Sequence, residues 1–331
     1  MKKGKSSMAF ANVYFIDGYT IAGKTEKEGP IGNYFDKTID DYYYGTKSFE
    51  KCEQKMMTEA IEGVINRNQE TAPEFLIAGD LIDHNGISNY VAKKFDIPLL
   101  GIYSACASSV YSMIISANFI DAGNAETVVC AVSSHNCTSE RVFRYPVEYG
   151  FPKADCSTFT VTAGAAALIS SKKSNIRVTR ATVGKVIDPK TMNPNDLGRS
   201  MAPAALDTFF CHMEDFNLDD DYYDLVVTGD LSEIGSEIFK LGLKHEGRKL
   251  REYNDCGLIV YDTKKQAVKR GGSGCGCCGV VAFSYLIKKL LEKKYKKILV
   301  IATGALLNKG MTNQKETIPS VAHAVALEVE L

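Results

Sequence analysis

The sequence lacks an excess of either charge: 39 basic residues stand against 40 acidic ones in 331, a net charge of -1. That balance excludes a field able to hold nucleic acid non-specifically, so any anion must be held by a local site. No secretory leader is expected either, because the basic start "MKKGKSSMAF" is followed by "ANVYFIDGYT", which has no apolar core. No apolar run reaches the roughly 18 residues of a membrane span; the stretch from Gly279 ends at Lys288. The cluster Cys275, Cys277 and Cys278 has no second cysteine pair to complete a structural zinc site, and reads as small residues for close helix packing. The acidic run "NLDDDYYD" lacks the glycine and terminal glutamate of an EF-hand loop and reads as a solvated loop. What these absences leave is a globular protein of a reducing cytosol. Its ten cysteines, some inside apolar strands (Cys130, Cys256), are expected to be free thiols.

What is present is one plan written twice. Periodicity predicts strands at "NVYFIDGYTIAG", "FLIAGDLI", "PLLGIYSA", "ETVVCAVSS" and, after a long loop, "GAAALISS", with helices at "FEKCEQKMMTEAIEGVINR", "SNYVAKKF" and from Cys106 to about Ala122. From Asn175 the order starts again, with "CGLIVYD" read as a strand and "CGVVAFSYLIKKLLEKK" as a helix. The hexamer "LIAGDL" at Leu76 recurs as "VVTGDL" at Val226, an offset of 226 − 76 = 150 positions. Near-continuous apolar strands need cover on both faces. A doubled βαβαβαββ unit therefore implies an α/β fold, a five-layered αβαβα sandwich from two halves, 1–172 and 173–331. Right-handed crossovers place the helices that start at Cys106 and near Gly276 side by side.

Cys106 stands where a strand-type run meets a helix start. There the macrodipole and unpaired N–H groups lower a thiol's pKa, so the position suits a nucleophile; a buried structural thiol is the bland alternative.

The doubled unit with a cysteine at its first central helix resembles the thiolase and ketosynthase fold. The stretches "GPIGNYFD", "SSHNCTSERVFRYPVEYG", "GGSGCGCCGVV", "ILVIATGALLN" and "KETIPSVAHAVALE" resemble, over nearly the whole chain, the stage V sporulation protein AD family. The resemblance implies a protein of spore formers that binds dipicolinic acid (pyridine-2,6-dicarboxylate) without converting it and supports its uptake into the developing spore. It implies membrane-embedded partners of the same transport system, a cytoplasmic place peripheral to the spore or forespore inner membrane, and a homodimer like that of the fold's enzymes. Calcium accompanying the ligand stays open, and no cofactor is expected.

Against the thiolase pattern, Ser273 stands where the motif at the second central helix has histidine, "TGDL" with Asp230 stands where ketosynthase relatives carry their base, and "ATGAL" lacks the second cysteine. An aspartate is expected to be unable to donate to an oxyanion at neutral pH, so the pattern implies a pocket without turnover. His135 in "SSHN" is the nearest remaining imidazole by sequence, either a structural histidine or a ligand contact.

A planar dianion calls for guanidinium forks, hydroxyl or amide donors and an aromatic or apolar face. The expected contacts are Cys106, His135, Asn136, Arg141, Arg144, Ser273 and Cys275, with no catalytic or metal-binding residue. The alternative for Arg141 and Arg144 is that both are surface arginines or pair with Glu140 and Glu148. The insertion "DDYYYGTKSFE" either packs over the pocket or forms a partner surface. Two other functions stay in view: an acyltransferase that uses Cys106 on a thioester, and a ligand-free adaptor of the membrane complex.

Overall fold

A computed structural model describes residues 2–330; Met1 and Leu331, the outermost residues of the two expected halves, lie outside the described residues. The first half runs β1 (Tyr14–Ala22), α1 (Phe49–Arg67), β2 (Phe75–Gly79), α2 (Gly86–Ala92), β3 (Leu99–Gly101), α3 (Ser108–Asp121), β4 (Thr127–Ser134), α4 (Asn136–Phe143) and β5 (Ala163–Ser170). The second half runs β6 (Ile176–Val183), α5 (Leu197–Asp215), β7 (Leu225–Thr228), α6 (Ser232–His245), β8 (Tyr253–Asp255) and α7 (Cys256–Val260). It continues through α8, built of Cys275–Val280, a π-helical Val281–Leu286 and Ile287–Leu291, to β9 (Lys297–Ala305) and β10 (Ser320–Val329).

The hydrogen-bonded order is β3-β2-β4-β5-β1 in the first half and β6-β10-β9-β7-β8 in the second. Each half has a parallel trio and two antiparallel strands, and the halves meet edge to edge where Ile176 pairs with Phe15 and Arg177 with Tyr14. The expected boundary at 172/173 falls in the turn between β5 and β6. Helix α3 touches β2 and β4 of one sheet and β9 and β10 of the other, with α8 beside it against β4 and β5. Helix α1 covers the outer face of the first sheet, and α5 with α6 covers that of the second. These are five layers, αβαβα.

All eight residues of β4 and all eight of β5 are buried, which is why both read as unbroken apolar runs. Polar side chains fix the helix starts: Ser48 accepts from the Lys51 amide at α1, and Asp196 from the Arg199 amide at α5. The glycines of "GSGCGCCG" allow α8 to lie against β4, since a Cβ on Gly276 would stand 2.5 Å from Ser134 Oγ. The cysteines between them are buried and, like all ten, free thiols. Among the described residues no cluster of His, Cys, Asp and Glu could hold a metal ion, and no helix is long and apolar enough to cross a membrane.

Two local expectations are corrected. "CGLIVYD" is not a strand: Cys256–Val260 is helical, because Asp255 accepts from the Gly257 amide at 2.9 Å and starts a helix there, and the strand precedes it. A short buried apolar run is ambiguous between the two states by periodicity alone. The loop after β4 contains α4, started by His135, whose ring nitrogen accepts from the Cys137 amide at 3.1 Å.

Candidate functional site

The site grows from the end of β3. The chain leaves it through Ser104 and Ala105, and Ala105 takes φ +46°, the left-handed region that non-glycine residues avoid. Ser108 holds this turn, donating its hydroxyl to the Ala105 carbonyl at 2.7 Å and accepting from the Ser104 amide at 3.0 Å. Cys106 is thereby turned inward, between the two sheets, at only 8% exposure.

Its neighbour is a carboxyl group from the other half. Asp230, just after β7, stands close enough to Cys106 for its charge to act on the thiol. Asp230 is buried; one oxygen accepts from the Thr303 hydroxyl at 2.5 Å and the other from the Gly274 amide at 3.0 Å. Burial pushes the Asp230 carboxyl up to about 7, although Thr303 and Gly274 pull it down. Near neutral pH it is therefore protonated in part of the molecules and can donate, which the sequence reading had excluded for an aspartate.

The same environment reverses the expectation for Cys106. Burial, and next to it the neighbouring Asp230, raise the thiol well above its ordinary value, against the helix-start effect. Iodoacetamide at pH 8 should accordingly label Cys156 and Cys211, which are partly exposed, well before Cys106, as read by peptide mass spectrometry. Labelling of Cys106 at an equal or faster rate would show an open, activated thiol.

The glycine-rich turn before α8 was expected to aim N–H groups at an anion. Its amides have internal acceptors instead: Gly274 donates to Asp230, and Gly276 to Ser134 Oγ at 3.1 Å. Asp230 stands where an anion would sit.

The seven expected contacts separate into two groups. Around Cys106 and Asp230 lie Cys275, whose thiol donates to the Ser133 carbonyl at 2.9 Å, and Ser273, which accepts from the Thr158 hydroxyl at 2.8 Å. Asn136 joins them, its amide NH2 3.4 Å from the carbonyl of Thr160, the strand partner of Ser273. The side chains of His135, Arg141 and Arg144 are engaged elsewhere. His135 is fully buried between Phe49 and Tyr42; Nδ1 accepts from Cys137 and Nε2 therefore donates to the Tyr42 carbonyl at 3.0 Å. Burial brings it down to about 4, so it is neutral and structural. Arg141 pairs with Glu50 and Glu148, and Arg144 grips Glu140 with two nitrogens at 2.9 and 2.5 Å. Both arginines follow the ion-pair alternative.

Sequence reasoning missed His323 on β10. Its Nδ1 accepts from the Gly184 amide at 3.2 Å, so Nε2 donates to Ser104 Oγ at 2.8 Å, two residues before Cys106, while the ring stacks on Tyr111. The motif holding it, "SVAHAVAL", reads as an apolar strand with one polar residue, and nothing along the chain marks its contact with Ser104. Glu53 of α1 was missed too. It is buried, accepts from Ser133 at 3.0 Å and Thr138 at 2.7 Å, and is pushed up to about 8 by burial and by Asp80.

Residues 4–328 match the stage V sporulation protein AD (SpoVAD) family. A relative named stage V sporulation protein AD, from Bacillus subtilis (strain 168), is 44% identical over 329 residues, covering 98% of this chain and 97% of the relative. Among solved structures, the 3-oxoacyl-[acyl-carrier-protein] synthase III of Aquifex aeolicus VF5 aligns at TM-score 0.59 and 11% identity, covering 96% of this chain and 99% of the other. Cerulenin-bound OleA of Xanthomonas campestris aligns at TM-score 0.57 and 14% identity, covering 97% and 98%. At those identities the likeness shows the fold, which is thiolase-like. The chain belongs to the stage V sporulation protein AD family.

Proposed function

We propose that the chain is a non-catalytic dipicolinate-binding protein that supports dipicolinate uptake into the developing spore, working with membrane proteins of the same transport system, as a homodimer and peripheral to the inner membrane. The observation that carries the reading is that the titratable group beside Cys106 is the buried carboxyl of Asp230 and not an imidazole. Acyl transfer from a thiol requires a base that takes its proton and a donor set for the oxyanion. His135, His212 and His323 each have both ring nitrogens bonded to other groups, and His84 and His245 lie on the surface. The Gly274 and Gly276 amides at the start of α8 are bonded to Asp230 and Ser134 and are not free for an oxyanion. What the site retains is recognition chemistry: a protonated thiol, a carboxyl able to donate, and the start of the fourteen-residue α3 with its positive dipole end.

Calorimetric titration with dipicolinate beside acetyl-coenzyme A, each with and without calcium, tests the proposal. Dipicolinate should bind and acetyl-coenzyme A should release no thiol; turnover that vanishes in Cys106→Ser would establish the acyltransferase instead. Binding should also carry a proton. A dianion is repelled by ionised Asp230 and accepted by its neutral form, so affinity should fall about tenfold per pH unit above about 7. Asp230→Asn should flatten that dependence. A pH-independent affinity in the parent protein would put the ligand away from Asp230.

A further inference from the structure

On the outer side of the first half, the insertion before α1, the first turns of α1 and the end of α2 enclose a trough of about 620 Å³. Its walls carry Lys47, Lys51 and Lys55 on one side and Lys93 and Lys94 on the other, with Tyr90 at 53% exposure between them. The trough shares no lining residue with the Cys106 and Asp230 site.

Its charge is not neutralised. Elsewhere lysines pair routinely with carboxylates, as Lys27 does with Asp40 and Lys37 with Glu59. None of the five trough lysines has a carboxylate partner among the described residues; Lys51, Lys55 and Lys94 donate to neutral groups. Lys55 donates to the Tyr44 carbonyl at 3.1 Å and lies over the Tyr44 ring, Lys94 donates to Thr58 at 3.0 Å, and Lys51 donates to Gln54 at 3.2 Å. Lys51 and Lys93 both approach the Tyr90 ring. The acidic residues of α1 that could have offset them turn away, Glu50 to Arg141, Glu59 to Lys37 and Glu53 into the core. In a chain of net charge -1, five positive charges left around one concavity form a local site of the kind that a balanced sequence requires for an anion.

We propose that this trough docks an acidic helical segment of a partner protein. Lys51 and Lys55 are four residues apart on one face of α1, about 6 Å along its axis, the repeat at which carboxylates at i and i+4 stand on a helix. Lys47 extends that row and Lys93 and Lys94 face it. A single phosphate is too short to meet both walls along this length, and a flat bilayer surface does not enter a trough. Lysines, as flexible point charges, suit a row of monodentate carboxylates. The tyrosine insertion singled out in the sequence thus serves as one rim: Tyr44 positions Lys55, and Thr46 and Lys47 lie in the lining.

The test uses the full chain and two labelled acidic peptides of equal charge and composition, one helical with glutamate at every fourth position and one with its glutamates in a single block. Fluorescence anisotropy should show tighter binding of the spaced peptide, and Lys51→Glu/Lys93→Glu should weaken it about tenfold or more with the melting temperature unchanged. Lys47→Glu alone, outside the helix, should weaken it less. Equal binding by parent and double variant would overturn the proposal, as would equal binding of the two peptides. Cosedimentation with phosphatidylglycerol vesicles that depends on Lys51 and Lys93, without peptide binding, would overturn it in favour of a lipid surface.

Discussion

The melting temperature should fall as pH rises from about 6.5 to 8.5, and Glu53→Gln should remove much of that fall. Five carboxyl groups buried in the core are raised by burial: Glu53 to about 8, Glu26 and Asp230 to about 7, Asp255 to about 6, and Asp80 in the same direction. A carboxyl whose folded pKa exceeds its unfolded one binds more protons when folded. Its contribution is full below the unfolded pKa and is lost as pH climbs through the folded value. Histidines act oppositely in a lower window. His135 and His323, brought down to about 4, and His212, to about 3, stay neutral when folded, so they destabilise as pH falls below about 6.5. Below 6.5 the two sets oppose each other; above it the histidine contribution fades within about one pH unit and the carboxyls dominate. Between 6.5 and 8 the carboxyl contribution to the loss is about 3 kcal/mol, of which Glu53 carries the largest share because it titrates last, and the histidines offset about 1 kcal/mol of it. Glutamine keeps the shape, can accept from Ser133 and donate to Thr138, and has no charge to bury. Urea unfolding of both proteins across this range measures the difference. A flat profile in the parent protein would mean that these carboxyls are hydrated and not buried.

How much of this was legible in the chain follows from which signals are local. The alternation of elements and the recurrence of "LIAGDL" as "VVTGDL" are local, and they correspond to β2 and β7, each flanked by two parallel neighbours. The strain at Ala105 is not visible in the sequence, nor is the nearness of Cys106 to Asp230, whose partners Thr303 and Gly274 come from different elements. Residue type alone suggested that an aspartate there stays ionised. Burial changes that, and burial is a property of the assembled layers. The arginines show the limit from the other side. Arg141 and Arg144 have the chemistry of a carboxylate fork, and the structure supplies carboxylates from the chain itself, one from Glu50 of α1, some 90 positions away. A sequence shows that a guanidinium needs a partner. It does not show whether the partner is a ligand.

Arg144 therefore yields a stability prediction of large size. Its side chain is 9% exposed and that of Glu140 6%, and the fork is closed by Lys153, 2.9 Å from Glu140, and by the Pro194 carbonyl, 3.2 Å from Arg144. Although burial raises the Glu140 carboxyl, Arg144 and Lys153 outweigh it and hold the group below its ordinary range. Arg144→Ala leaves a buried carboxylate with one ammonium partner, and removing one member of a buried pair costs about 3 to 5 kcal/mol. Arg144→Lys keeps the charge and loses the two-point grip, so it should fall between. Replacing both partners, as Arg144→Met with Glu140→Gln, should recover much of the loss, since no unpaired charge remains. Denaturant unfolding of the three variants measures the series, and dipicolinate titration of Arg144→Lys separates the two roles. Loss of affinity with stability kept would assign Arg144 to the ligand. Loss of stability with affinity kept, the result expected here, leaves recognition to Cys106, Asp230 and the residues around the start of α8.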